Sequence, residues 1–182
     1  DEEGSTPPSS SPETLVAGEE ERVVIALQIS QFAQHIDPRK PASAARFASQ
    51  LDAVLKKHRI DSAVLVGHSL GTAYANYARH YIPHRVAALA LLDPVCCMMH
   101  HADISDAFVY KRVGGKLDVA VEEYYVRREL FTSNVIMRHM KWHEASIWPG
   151  EADAAMPTLF VLSEEDKIVP VTKVQGCVRS LR

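Results

Sequence analysis

The sequence predicts an α/β protein: a mostly parallel sheet with helices on both faces. Three observations predict it. Four short aliphatic and β-branched runs are almost free of polar residues, as in strands buried on both sides. Between them lie stretches whose apolar residues recur at helical spacing. Strand-like and helix-like segments alternate along the chain, which is the order of parallel sheets.

The first run, "RVVIALQIS" at residues 22–30, reads as a strand. After a loop containing "DPRKP", the segment "SAARFASQLDAVLKKH" reads as a helix. Ser43 can cap its start, Phe47, Leu51, Val54 and Leu55 share one side, and Lys56 and Lys57 suit the negative end of the helix dipole. "SAVLVG" is the next buried strand, "SLGTAYANYARHY" a helix stopped by Pro83, and "RVAALALLD" a third strand. The fourth, "PTLFVLS", begins only at Pro157. The intervening residues, about 95–156, contain aromatic-, Met- and Arg-rich helical stretches, and an insertion of this length between strands is expected to be a cap or lid. Residues 1–21 are acidic, rich in Pro and Ser, and expected to be disordered. The remainder, 22–182, is then one partial domain carrying the cap.

The chemistry concentrates at Gly67-His68-Ser69-Leu70-Gly71, a G-x-S-x-G pattern placed where a strand ends and a helix begins. Glycine allows strand and helix to approach and tolerates the backbone angles of a tight turn. Ser69 would project from the carboxyl end of the sheet, where ligands bind in open α/β folds. The helix start beneath it offers free N–H groups to a developing oxyanion, with Leu70 as the expected donor. A structural strand-to-helix turn is the competing reading. A second feature is "TLFVLSEEDKIVP", a strand followed by an acidic turn. Asp166 is the candidate acid there, against Glu164, Glu165, and Asp93 of "LLDPV".

With both motifs in place, the sequence resembles the α/β-hydrolase superfamily over residues 22–182. In that family the acid often sits in G-x-x-D-x-x-V-P; here Ser163 replaces the glycine and Asp166 and Pro170 match. The phrases "VGHSLGT", "LLDPVCC", "YYVRRELFTSNVIMRHMKWHEASIW" and "VLSEEDKIVP" look closest to a branch of eukaryotic hydrolase-like proteins that are often membrane-associated. The resemblance implies Ser69 as nucleophile, Asp166 as the residue that orients a histidine base, and an ester or similar acyl substrate.

It also exposes departures. A serine triad needs a histidine, yet none follows Asp166. His68 sits beside the serine but is expected to point away. His139 and His143 are spaced for one face of a helix, but "HMKWH" lacks the Glu of H-E-x-x-H and a third ligand, so no metal is expected. "VVIALQIS" is followed by "QFAQHI" and not by an oxyanion loop, and it matches the family's fourth strand, so the third, central strand is unaccounted for. The expectation is a domain lacking N- and C-terminal parts of the fold, inactive by itself. The alternative is a non-catalytic binding or scaffold protein derived from a hydrolase.

Composition sets the outer bounds. Apolar residues are 47% and charged residues 24% of 182, as in globular domains. Residues 1–21 hold seven acids and no Lys or Arg; taken from a total of −3, that leaves a scattered +4, too mild for a nucleic-acid surface. The longest apolar run, "VAALALL", is far too short to span a bilayer, and no charged-then-apolar leader opens the sequence. Cys96, Cys97 and Cys177 make no disulfide framework, so reduced thiols in a reducing compartment are expected. No cofactor is implied. The expected ligand is a small acyl compound with an apolar group to suit the aromatic cap.

Overall fold

The computed structural model describes residues 23–29, 32, 41–110, 117–148, 156–166 and 168–181. The expectation of disorder at residues 1–21 lies outside these. Among the described residues three strands form one sheet in the order β1-β2-β3: β1 (Ala63–His68), β2 (Val86–Leu92) and β3 (Thr158–Val161). Both pairings are parallel, with Val66 beside Ala90 and Ala90 beside Leu159.

Helix α1 (Ala44–Lys57) precedes β1, and its start is fixed as expected: the Ser43 Oγ accepts the Arg46 N–H at 3.3 Å. Its apolar side, including Leu51 and Leu55, is buried. Helix α2 (Gly71–Tyr81) follows β1 and ends just before Pro83, which opens a short 3-10 turn leading into β2. Arg85, at the end of that turn, binds Asp52 of α1 at 2.8 Å and the carbonyls of Ile60 and Asp61. One guanidinium thereby joins α1, the α1–β1 loop and the entry to β2.

Strand alternation decides what the sheet buries. Leu65, Gly67, Leu89, Leu91 and Phe160 share the face on which α2 lies, and Leu91 is fully buried in a core that includes Leu51, Leu55, Ala73 and Ala78. Val64, Val66, Leu159 and Val161 point the other way and are exposed by 59%, 71%, 60% and 44%. The helical layer expected on that second face is not found among the described residues.

The first expected strand is corrected. Val23–Ile29 is irregular, with Val24 91% exposed. A strand exists only where a neighbour completes its hydrogen bonds, and among the described residues β1 pairs with β2 and not with this segment. The segment is strand-like in composition and has no strand partner among the described residues.

The insertion is a chain of short helices: α3 (Ala102–Ser105), α4 (Leu117–Glu122), α5 (Leu130–Asn134) and α6 (Trp142–Ala145). Each of the first three widens at its end into a π-type turn. The insertion is fastened where it leaves and returns. Ile147 N–H donates to the Cys96 carbonyl at 2.9 Å, and the buried Asn76 amide of α2 reaches the carbonyls of Ala145 and Ser146. After β3 comes the Asp166 turn, then α7 (Val171–Ser180), anchored by the fully buried Val174.

Candidate active site

The corner after β1 has the strain the sequence predicts. Ser69 has φ +50°, a left-handed conformation that costs a non-glycine residue about 1–3 kcal/mol. It is held there by three bonds. Ser69 N–H donates to Leu92 O of the neighbouring strand at 2.9 Å, and Ser69 O accepts from Thr72 N and Thr72 Oγ1 at 3.0 and 2.6 Å. The backbone is thus fully engaged, while the Ser69 hydroxyl and the Leu70 N–H have no hydrogen-bond partner among the described residues.

The two glycines differ, which corrects the expectation that both clear space. A Cβ at Gly67 would stand 2.7 Å from Gly71 O and 2.9 Å from Thr72 N, both backbone atoms that cannot yield. A Cβ at Gly71 would meet nothing within 4 Å. The strand must be bare for the helix to pass, whereas the helix need not be bare at that point.

A cavity of about 580 Å³ opens over this corner. His68, Ser69, Leu70 and Gly71 form its base, and Leu27, Ile29 and Phe32 one wall. Tyr74 of α2 forms another, and Phe108, Tyr125 and Thr132 reach it from the insertion. Tyr74 packs edge-on against Phe47 with ring centres 4.9 Å apart, and burial pushes its hydroxyl up to about 12, so it stays neutral. Sequence reasoning located the base of this cavity and missed its walls. Aromatic residues in an insertion carry no signal of where they face.

The candidate acids separate by what they already hold. Asp93 accepts from Ser163 N at 2.6 Å with one carboxylate oxygen and from Ser163 Oγ at 2.8 Å with the other. It clamps the end of β2 to the turn after β3, and the departure from the family's glycine at position 163 supplies the hydroxyl for that clamp. Asp93 also takes a positive φ of 45°. Glu164 and Glu165 are exposed. Asp166 is half-buried; its Oδ1 accepts the N–H groups of Ile168 and Val169 at 2.7 and 2.9 Å, and its Oδ2 is free among the described residues. Asp166 does not line the cavity. It follows β3, whose carboxyl end lies at the same end of the parallel sheet as that of β1, two strands over.

The histidines are placed differently from one another. His68 is exposed, with Nε2 3.7 Å from Asp93 Oδ2. His139 ends one helical turn and His143 belongs to α6, with the extended Met140 between them, so they do not share a helix face as the spacing suggests. His100 and His101 are exposed, and the ring of His100 lies 4.9 Å from that of Trp148.

A parallel sheet whose first strand turns under a strained serine, at the base of a cavity, defines an α/β-hydrolase-like protein. A sequence profile of the alpha/beta hydrolase fold family matches residues 5–116. The chain belongs to the α/β-hydrolase fold family. The matched region contains the corner at Ser69 and stops short of Asp166. "Putative esterase/lipase 3" of Mycoplasma pneumoniae is 36% identical over 75 residues, which is 40% of this chain and 28% of that protein. A meta-cleavage product hydrolase (CumD) variant superposes with a TM-score of 0.54 at 18% identity, covering 80% of this chain and 64% of its own. Another structure of that enzyme, from Pseudomonas fluorescens IP01, gives 0.51 at 15%, covering 79% and 61%. The chain therefore spans less than two thirds of each of these proteins. No described helix is long and apolar enough to cross a membrane.

Proposed function

We propose that the site serves acyl-group hydrolysis, with Ser69 as nucleophile, the Leu70 N–H as an oxyanion donor and Asp166 as the acid that orients a histidine. The observation that carries this reading is the Ser69 corner. Its backbone is locked by Leu92 and Thr72, while its hydroxyl and the next N–H remain without a partner among the described residues at the base of a cavity. Such a serine attacks a carbonyl carbon, and the oxygen that gains charge falls near the start of α2, where an N–H and the helix dipole stabilise it. Gly67 makes the turn sterically possible, and His68 and Gly71 flank the hydroxyl at the base of the cavity. Asp166 suits the acid better than Asp93 because it keeps one oxygen free. The aromatic and aliphatic walls favour an ester with an apolar acyl group, and residues 95–156 act as its cap.

Proton removal from Ser69 needs a base, and no histidine follows Asp166 in these residues. General-base assistance contributes about 10²–10⁴-fold, so the chain by itself should react slowly. A fluorophosphonate should label Ser69 slowly, added imidazole should accelerate labelling, and Ser69→Ala should remove it from the mapped peptide. Equal labelling of both proteins would refute the assignment. That Asp166 stands outside the cavity lining favours a second reading, a binding protein on a hydrolase fold. An apolar ester that occupies the cavity and is never cleaved, with imidazole or without, would establish it.

A further inference from the structure

The three cysteines form a second cluster of reactive groups, which the proposed chemistry of Ser69 does not use. Cys96 and Cys97 lie in the turn Val95–Cys97 that leaves β2, and both are fully buried. Cys177 is half-buried on α7, one turn beyond Val174. Helix α7 packs directly on the Val95–Cys97 turn, which makes the Cys97 and Cys177 side chains neighbours.

The two thiols are unequal. The side-chain interaction with Cys97 lowers the Cys177 thiol from its ordinary value. The same contact, a second one to Cys96, and burial push Cys97 up. Cys177 therefore ionises more readily than Cys97, and it is the cysteine with a path to solvent. Cys97 is protonated, shielded and already touching it. This pairs an attacking thiol with a resolving one.

We propose that Cys177 and Cys97 are a peroxide-reactive pair that closes a reversible disulfide between α7 and the root of the insertion. The Cys177 thiolate attacks one oxygen of a peroxide, the O–O bond breaks, and with hydrogen peroxide the leaving hydroxide takes up a proton to give water. Cys177 is then a sulfenic acid. The Cys97 sulfur attacks that sulfur, its proton departs with the displaced hydroxide as a second water, and the S–S bond forms. Two thiols are oxidised by two electrons and one peroxide is reduced. Cysteines on two elements that pack directly on each other can be joined after small side-chain rotations. Cys96 and Cys97 are adjacent, and joining them would twist the peptide between them out of its planar trans form. Because Cys96 O also receives Ile147 N–H, the link would fix the point at which the insertion leaves and rejoins the core.

The test is titration of the reduced 182-residue chain with hydrogen peroxide, alkylation of remaining thiols, and peptide mapping without reductant. The expected product is a Cys97 peptide joined to a Cys177 peptide, with the loss of two hydrogens, restored to free thiols by a dithiol reductant. Cys177→Ser should abolish the product and leave Cys97 unoxidised. Cys97→Ala should leave a sulfenic acid on Cys177 that dimedone traps. Should burial of position 97 make that variant unfold, Cys177→Ser at the half-buried position remains decisive. A Cys96–Cys97 link, conversion of Cys177 to sulfinic acid with no crosslink, or thiols that stay reduced would each overturn the proposal.

Discussion

The two faces of the sheet carry similar residues and meet opposite fates. On one, Leu65, Leu89 and Leu91 pack beneath α2 and join the core; on the other, Val64, Val66, Leu159 and Val161 stand in the open. These side chains alternate along the same strands, so no difference in composition separates them. The contrast teaches that an unbroken apolar run specifies a demand for cover on both sides and cannot show whether the described helices meet it. An apolar face beside an unpaired edge is also an association liability.

The largest effect should come from placing one charge on each face. Leu91→Lys should prevent folding, since burying an unpaired ammonium exceeds about 4 kcal/mol. Val66→Lys should fold, shift stability by about 0.5 kcal/mol, and lower concentration-dependent light scattering. Far-ultraviolet circular dichroism and thermal melts of both variants check this, and similar destabilisation by the two would erase the distinction between faces.

The next effect is confined to the covered face where β1 meets α2. Gly67→Ala should cost about 3 kcal/mol, because its new methyl meets backbone atoms of Gly71 and Thr72. Gly71→Ala meets nothing and should be neutral or stabilising by up to about 1 kcal/mol, what a helical glycine forgoes. Urea unfolding of the pair measures the difference. Equal costs would mean that the corner opens in solution.

The smallest effect concerns the helical layer. The Asp52 carboxyl is held below its ordinary 3.8, first by the hydrogen bond from Lys56 and then by Arg85. A depressed folded value means that the stabilisation is complete above the unfolded value and is lost as pH falls through the folded one. The melting-temperature gap between the wild type and Asp52→Asn should therefore narrow on acidification below about pH 4. A gap that stays constant would remove the electrostatic account of how α1 is joined to Arg85.

Much of this arrangement is legible in the residues. Ser43 as a cap, Pro83 as a stop, the three runs that become β1, β2 and β3, and the serine corner all follow from short-range chemistry, in which a few neighbours determine the local backbone. Residues 22–30 misled because β-branched composition reports willingness to extend, and among the described residues Val23–Ile29 pairs with no strand although one side of β1 is open. The spacing of His139 and His143 misled because a helix period assumes an unbroken helix, and the chain turns at Met140.

By itself, then, the sequence determined the class of fold, the position of the strained serine and the half-buried aspartate that follows β3. Only the tertiary structure decided which glycine is indispensable, which acid keeps a free oxygen, which aromatics enclose the cavity and which two of three cysteines touch. The physical reason is reach. Capping, turns and periodicity act over a few residues, whereas the bond from Ser163 to Asp93 and the contact of Cys97 with Cys177 join positions some 70 and 80 residues apart, and only packing fixes them.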